Sequence, residues 1–126
     1  MTKVNVAVLG ATVAVGEAAI DILAQRNFPV GILYPLASTR SEGSTILFRN
    51  KPYLVQDVAD FDFSLVQIAI FSAGSEISKR YAPKAAKAGC VVIDNTAEFR
   101  KDPDIPLIVP EVNPEAIKLF SKKNII

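Results

Sequence analysis

The chain has 126 residues, of which 50% are hydrophobic and 21% charged, a balance that suits one domain with a buried core and excludes a disordered segment. Fourteen basic residues against thirteen acidic leave a formal charge of +1, so neither nucleic acid nor a membrane surface is expected as a partner. The lone cysteine excludes an internal disulfide, and the absence of histidine removes the commonest zinc ligand and the usual general base at neutral pH.

The first apolar run is too short for a signal peptide or a membrane span, so a cytoplasmic, reducing location is expected. That run, residues 3–9 (KVNVAVL), is β-branched with little polar alternation and predicts a strand buried on both faces of a parallel sheet. Gly10 ends it. Over 13–25 the apolar residues Val15, Ala18, Ala19, Ile22 and Leu23 recur at helical spacing, and Arg26, Asn27 and Pro29 supply the stop. A second strand is expected over 31–37, followed by the polar stretch 38–43. Residues 44–48 and 51–55 flank Arg49-Asn50 as the arms of a short hairpin, with a weaker turn signal than Asn-Gly. Further strands are expected over 65–71 and 91–93, separated by an Ala- and Lys-rich helix over 75–88 that Gly89 terminates. Beyond these the pattern predicts a short strand over 107–109 and a helix over 114–122 opened by Pro114. Asn124-Ile125-Ile126 reads as the beginning of another strand, and an apolar terminus of this kind suggests a cut boundary.

Strands alternating with helices imply an α/β fold: a Rossmann-like, doubly wound, mostly parallel sheet in a single domain. The most informative stretch is then the glycine turn Gly10-Ala11-Thr12-Val13-Ala14-Val15-Gly16, which leaves the first strand and opens the first helix. Such a turn aims backbone N–H groups and the positive end of a helix dipole at an anion such as a pyrophosphate. Two glycines at this spacing also serve a purely structural turn, and the strand-before, helix-after context is what favours dinucleotide binding. A permissive glycine is expected at the middle position, where this chain has Val13. If that position needs positive φ, a β-branched residue costs roughly 1–2 kcal/mol, and even in a helical conformation its branch occupies space near the ligand, so weakened binding is expected.

After the second strand, Ser38, Thr39, Arg40 and Ser41 stand where NAD-preferring sites place an acidic residue. Hydroxyls with a guanidinium match a ribose 2′-phosphate, so NADP is favoured over NAD, with a solvated polar loop as the alternative. Ser72, Ala73, Gly74 and Ser75 follow the strand over 65–71 at the edge where such sheets bind ligands. Asp94, Asn95, Thr96 and Arg100 suit an anion site or a capped turn equally well. Cys90 reads as a small core residue with no histidine to activate it. Tyr81 and Lys84 are one residue short of a Tyr-x-x-x-Lys pair, and Asp57, Asp60 and Asp62 are too dispersed to nominate a metal site.

Taken in order, Gly10-Ala11-Thr12 with Ala14-Val15-Gly16, Ala37-Ser38-Thr39-Arg40-Ser41, Phe71-Ser72-Ala73-Gly74, Val92-Ile93-Asp94-Asn95-Thr96, Phe99-Arg100 and the run Val109-Pro110-Glu111-Val112-Asn113-Pro114-Glu115 resemble the aspartate-semialdehyde dehydrogenases. The resemblance spans nearly the whole chain. It implies an NADP-binding domain over 1–126, of a family whose longer members add a catalytic and dimerisation domain and reduce aspartyl phosphate to aspartate semialdehyde in lysine, threonine and methionine synthesis. By the same resemblance Gly10, Thr12, Val13, Ala14 and Val15 would cradle the pyrophosphate, and Ser38, Arg40 and Ser41 the 2′-phosphate. Ser72, Ala73 and Gly74 would meet the cofactor farther along, and Asn95 and Arg100 the substrate phosphate.

The family's nucleophilic cysteine motif and its histidine base have no counterpart here, so no catalytic residue is expected in the chain. Val13, Ser75 and Ala97-Glu98 also depart from the family's pattern, and Glu98 puts negative charge near the anion site. These departures leave open a truncated remnant or a non-catalytic nucleotide-sensing module. The related N-acetyl-glutamyl-phosphate reductases share the architecture, but the Asn-Thr and Val-Pro-Glu-Val-Asn-Pro stretches favour the first family. Apolar surface left without a catalytic domain is expected to cause self-association.

Overall fold

The computed structural model describes residues 2–38, 41 and 43–126. Strand β1 (Val4–Leu9) is the centre of the molecule, with Val6, Ala7, Val8 and Leu9 at most 1% exposed, as a β-branched run without polar alternation requires. Helix α1 (Ala14–Gln25) leads to β2 (Val30–Ala37), which lies parallel to β1. The antiparallel hairpin β3 (Thr45–Phe48) and β4 (Lys51–Leu54) forms as expected. Its two turn residues, Arg49 and Asn50, both take positive φ (52° and 65°), the primed-turn geometry that matches strand twist.

A short strand β5 (Gln56–Asp57), unforeseen in the sequence, then joins the outer edge of β2. The expected strand over 65–71 begins later, as β6 (Ile68–Phe71), because Phe63–Leu65 is a 3₁₀ turn that the Asp62 carboxylate caps through the Ser64 N–H. Helix α2 (Ser75–Lys87) and strand β7 (Val91–Asp94) follow.

The five parallel strands stand in the order β5-β2-β1-β6-β7. The chain therefore works outward from β1 on one side, returns to β6 beside β1, and works outward on the other. The carboxyl ends of β1 and β6 mark the place where the order reverses, and crevices open there in sheets of this kind. Alternate side chains decide the two faces. Val6, Val8 and Leu33 pack with Ile20 of α1 and Phe48 of the hairpin, whereas Ala69, Phe71 and Val92 pack with Tyr81, Ala82 and Ala85 of α2.

One expectation near the C-terminus fails. No strand forms over 107–109, because Asn113 takes the groups a ladder would need: its Oδ1 accepts the Val109 N–H at 2.8 Å and its Nδ2 donates to the Leu107 carbonyl at 2.8 Å. The expected helix over Pro114–Lys122 forms with Pro114 at its opening, wound as a 3₁₀ helix. The final apolar residues do pair, since Ile125 forms a parallel bridge with Val92 and is 3% exposed. Among the described residues, no helix is long and apolar enough to cross a membrane.

Candidate functional site

Gly10 leaves β1 with φ +91°, a conformation that L side chains rarely adopt. The N–H groups of Gly10 and Ala11 both donate to the Leu36 carbonyl, at 3.0 and 3.2 Å, which pins the turn to the end of β2. The first turn of α1 then sits directly on this bend. A Cβ on Gly16 would lie 1.9 Å from the Gly10 carbonyl oxygen, so only glycine allows that approach.

Val13 corrects the sequence reading. Its backbone is extended (φ −105°, ψ 162°), so a β-branched residue is unstrained there and no positive-φ penalty arises, while the residue itself lines the cleft at the ends of β2 and β6. Val13 caps α1 without a side-chain hydrogen bond, leaving the positive end of the helix facing the crevice.

The turn, the end of β2 and the end of β6 enclose a cleft of about 350 Å³. Of the residues singled out in the sequence, Gly10, Thr12, Val13, Ser38, Ser41 and Ala73 line it. The Thr12 hydroxyl donates to the Ser41 hydroxyl at 3.3 Å, tying the turn to the segment after β2. Ala14 and Val15 lie exposed on the first turn of α1, outside the cleft lining. Arg40 and Thr39 fall outside the described residues.

Ser72 holds the loops together, because its N–H and its Oγ both donate to the Leu9 carbonyl, at 3.0 and 3.1 Å. Gly74, at φ +98°, is the N-cap of α2. Val58 and Ile77 also line the cleft and supply an apolar wall. Val58 had no signal in the sequence because β5, which places it, is two residues long. Ile77 had one, three positions beyond Gly74 at the opening of α2.

The structure places Asn95 and Arg100 on the turn after β7, both exposed, and Arg100 lines a small cavity with Asp94, Thr96 and Phe99. Asp94 organises that turn: Oδ1 accepts the Thr96 N–H at 2.9 Å and Oδ2 accepts the Thr96 hydroxyl at 3.1 Å. The carboxyls held low in pKa lie away from the cleft. Hydrogen bonds from the Ser64 hydroxyl and N–H lower Asp62, and the Asp104 N–H, then Lys123 at 3.0 Å, lower Asp102. Cys90 is a core residue at the opposite edge of the sheet, fully buried, and burial pushes its thiol up to about 11. Tyr81 is buried in the core while Lys84 is exposed. Among the described residues no group of three or more His, Cys, Asp or Glu side chains is arranged to hold a metal.

A parallel sheet whose order reverses at a glycine turn, with a helix opening behind that turn, defines the chain as an α/β domain of the dinucleotide-binding type. The family model for the semialdehyde dehydrogenase NAD-binding domain matches residues 5–120, and the chain belongs to that family. It is 60% identical to an aspartate-semialdehyde dehydrogenase of Vibrio cholerae over 97% of this chain and 36% of that protein. A crystal structure of aspartate semialdehyde dehydrogenase II from Vibrio cholerae superposes with a TM-score of 0.97 at 58% identity, over 99% of this chain and 41% of that one. The enzyme of Candida albicans, whose structure contains NADP, matches with a TM-score of 0.79 at 26% identity, over 93% of this chain and 36% of that one. The chain thus spans little more than a third of the length of the curated relatives it matches.

Proposed function

We propose that residues 1–126 form the cofactor-binding domain of an aspartate-semialdehyde dehydrogenase and bind NADP in the cleft at the carboxyl ends of β1 and β6. The observation that carries this reading is the convergence of the Gly10 turn, the end of β2 and Ala73 on one cleft with the N-terminus of α1 behind it. Gly10, Thr12, Val13, Ala14 and Val15 would hold the pyrophosphate, Ser38, Arg40 and Ser41 the 2′-phosphate, and Ser72, Ala73 and Gly74 the adjoining part of the cofactor.

When bound, the dinucleotide supplies hydride chemistry at its nicotinamide ring. The residues of this chain bind and orient it. Asn95 and Arg100 would hold the substrate phosphate, in a reaction that converts aspartyl phosphate to aspartate semialdehyde for amino-acid synthesis. Cys90 is not the thiol of that reaction, because it is buried at the far edge of the sheet and its ionisation is suppressed. A cytoplasmic location fits a lone buried thiol. Self-association is part of the same proposal, supported by the open apolar cleft that Ile68, Val91 and Ile93 of β6 and β7 form with Ile117, Phe120 and Ile126.

Calorimetric titration of the folded chain with NADP⁺ and with NAD⁺ tests the reading. NADP⁺ is expected to bind more tightly by about tenfold or more, the worth of one charge-assisted phosphate contact, and Arg40→Ala is expected to abolish the preference. No heat of binding from either nucleotide would overturn it.

A further inference from the structure

Ser78 lies in the first turn of α2 and is the one fully buried polar residue among those described. Its neighbours on the buried face of the helix, Tyr81, Ala82 and Ala85, pack against the sheet. Packing alone would be served by alanine, and an unpaired buried hydroxyl is costly. The hydroxyl is paired: Ser78 Oγ donates to Asp94 Oδ1 at 2.9 Å. The turn after β7 does not need this bond to close, because Asp94 and Thr96 close it by themselves.

The backbone of the same residue faces the other way. The Ser78 N–H donates to the Gly74 carbonyl at 3.1 Å. Gly74 ends the Ser72–Gly74 loop, whose Ser72 is bonded to Leu9 beside the glycine turn. On the far side the order continues from Asp94 to Thr96, and then from Thr96 Oγ1 to the Glu98 N–H at 3.2 Å. Ser78 is therefore the side chain through which α2 and the loop bordering the cleft reach the turn carrying Asn95, alongside the backbone bond from the Asn95 N–H to the Phe71 carbonyl at 2.9 Å, which holds Asn95 but neither Thr96 nor Glu98.

We propose that Ser78 is a positioning residue, which fixes the Asn95–Arg100 turn relative to the cofactor cleft so that filling the cleft is felt at Thr96 and Glu98. This rests on the cofactor reading above. A hydrogen bond weakens steeply with distance and angle, so movement of Gly74 and the first turn of α2 either carries Asp94 with it or breaks the bond. Asp94 in turn holds both polar groups of Thr96, and the segment that follows moves as a unit.

The test is an amide ¹H–¹⁵N spectrum of the full chain during titration with NADP⁺. In the unsubstituted chain, signals of Ala73 and Gly74 are expected to shift together with those of Thr96 and Glu98. In Ser78→Ala the shifts at Ala73 and Gly74 persist and those at Thr96 and Glu98 are lost, with NADP⁺ affinity unchanged within about twofold. Asp94→Asn keeps an acceptor for Ser78 and for the Thr96 N–H, and its amide can donate to Thr96 Oγ1. It is expected to keep the coupled response that Ser78→Ala loses, which a merely destabilised fold would not do. Thr96 and Glu98 responding equally in Ser78→Ala, or staying still while Ala73 and Gly74 move, would overturn the proposal and leave the cofactor reading standing. An absence of shifts at Ala73 and Gly74 in the unsubstituted chain would overturn the cofactor reading, and this proposal with it.

Discussion

Gly16 shows how one absent atom shapes the glycine turn. A Cβ there would stand 1.9 Å from the Gly10 carbonyl oxygen, and because that oxygen belongs to the backbone, no side-chain rotation can relieve the clash. Gly16→Ala is expected to destabilise the fold by about 3 kcal/mol, at the upper end of overpacking costs, in urea denaturation. It should also weaken NADP⁺ binding, because α1 must move off the turn. Cys90 yields a prediction in pH. Its thiol is raised to about 11 in the fold, whereas an ordinary thiol ionises near 9. Between these values the native state holds a proton that the unfolded state has lost, so this contribution is complete below pH 9 and declines as pH rises toward 11. Denaturation at about pH 7 and about pH 10 should show a larger alkaline loss for the unsubstituted chain than for Cys90→Ala. The buried thiol was legible in the sequence, from its place before an apolar strand. The harmless backbone of Val13 was not, since φ at that position follows from how α1 meets the turn.

Among the elements, β1, β2 and β6 are locked at their amino ends by Asn5. Its Oδ1 accepts the Ile32 N–H at 2.9 Å, its Nδ2 donates to the Leu65 carbonyl at 3.1 Å, and its own N–H donates to Gln67 Oε1 at 2.7 Å. Two of these bonds belong to the side chain, so Asn5→Ala is expected to cost about 2 kcal/mol in thermal or urea unfolding, at roughly 1 kcal/mol per bond. Nothing in the sequence marked Asn5, which stands as a lone polar residue inside a strand run and finds its partners 27 and 60 residues away. Long, periodic elements such as β1, α1 and α2 could be read directly, because an apolar run or a 3.6-residue repeat records which faces are buried. The shortest could not. Strand β5 has two residues and no period, and the expected strand over 107–109 lost to the side-chain bonds of Asn113, which compete with any ladder.

For the whole molecule, the arrangement of layers leaves one half of one sheet face open. Ala69, Phe71 and Val92 are covered by α2, but on the other side Ile68, Val91 and Ile93 line an apolar cleft of about 400 Å³ with Ile117, Phe120 and Ile126. If this surface drives self-association, the weight-average mass from light scattering rises with concentration, and Ile93→Lys brings it back toward the monomer. A constant monomer mass at high concentration would count against that part of the proposal. The sequence by itself determined the alternation of strand and helix, the parallel sheet, the glycine turn and the family resemblance, because each is written in local composition or in residues close along the chain. Tertiary structure alone decided which candidates share a cleft, that Ser72 faces Leu9, and that Ser78 joins Gly74 to Asp94. Those outcomes depend on strand order and on contacts between distant residues, which a one-dimensional pattern does not encode.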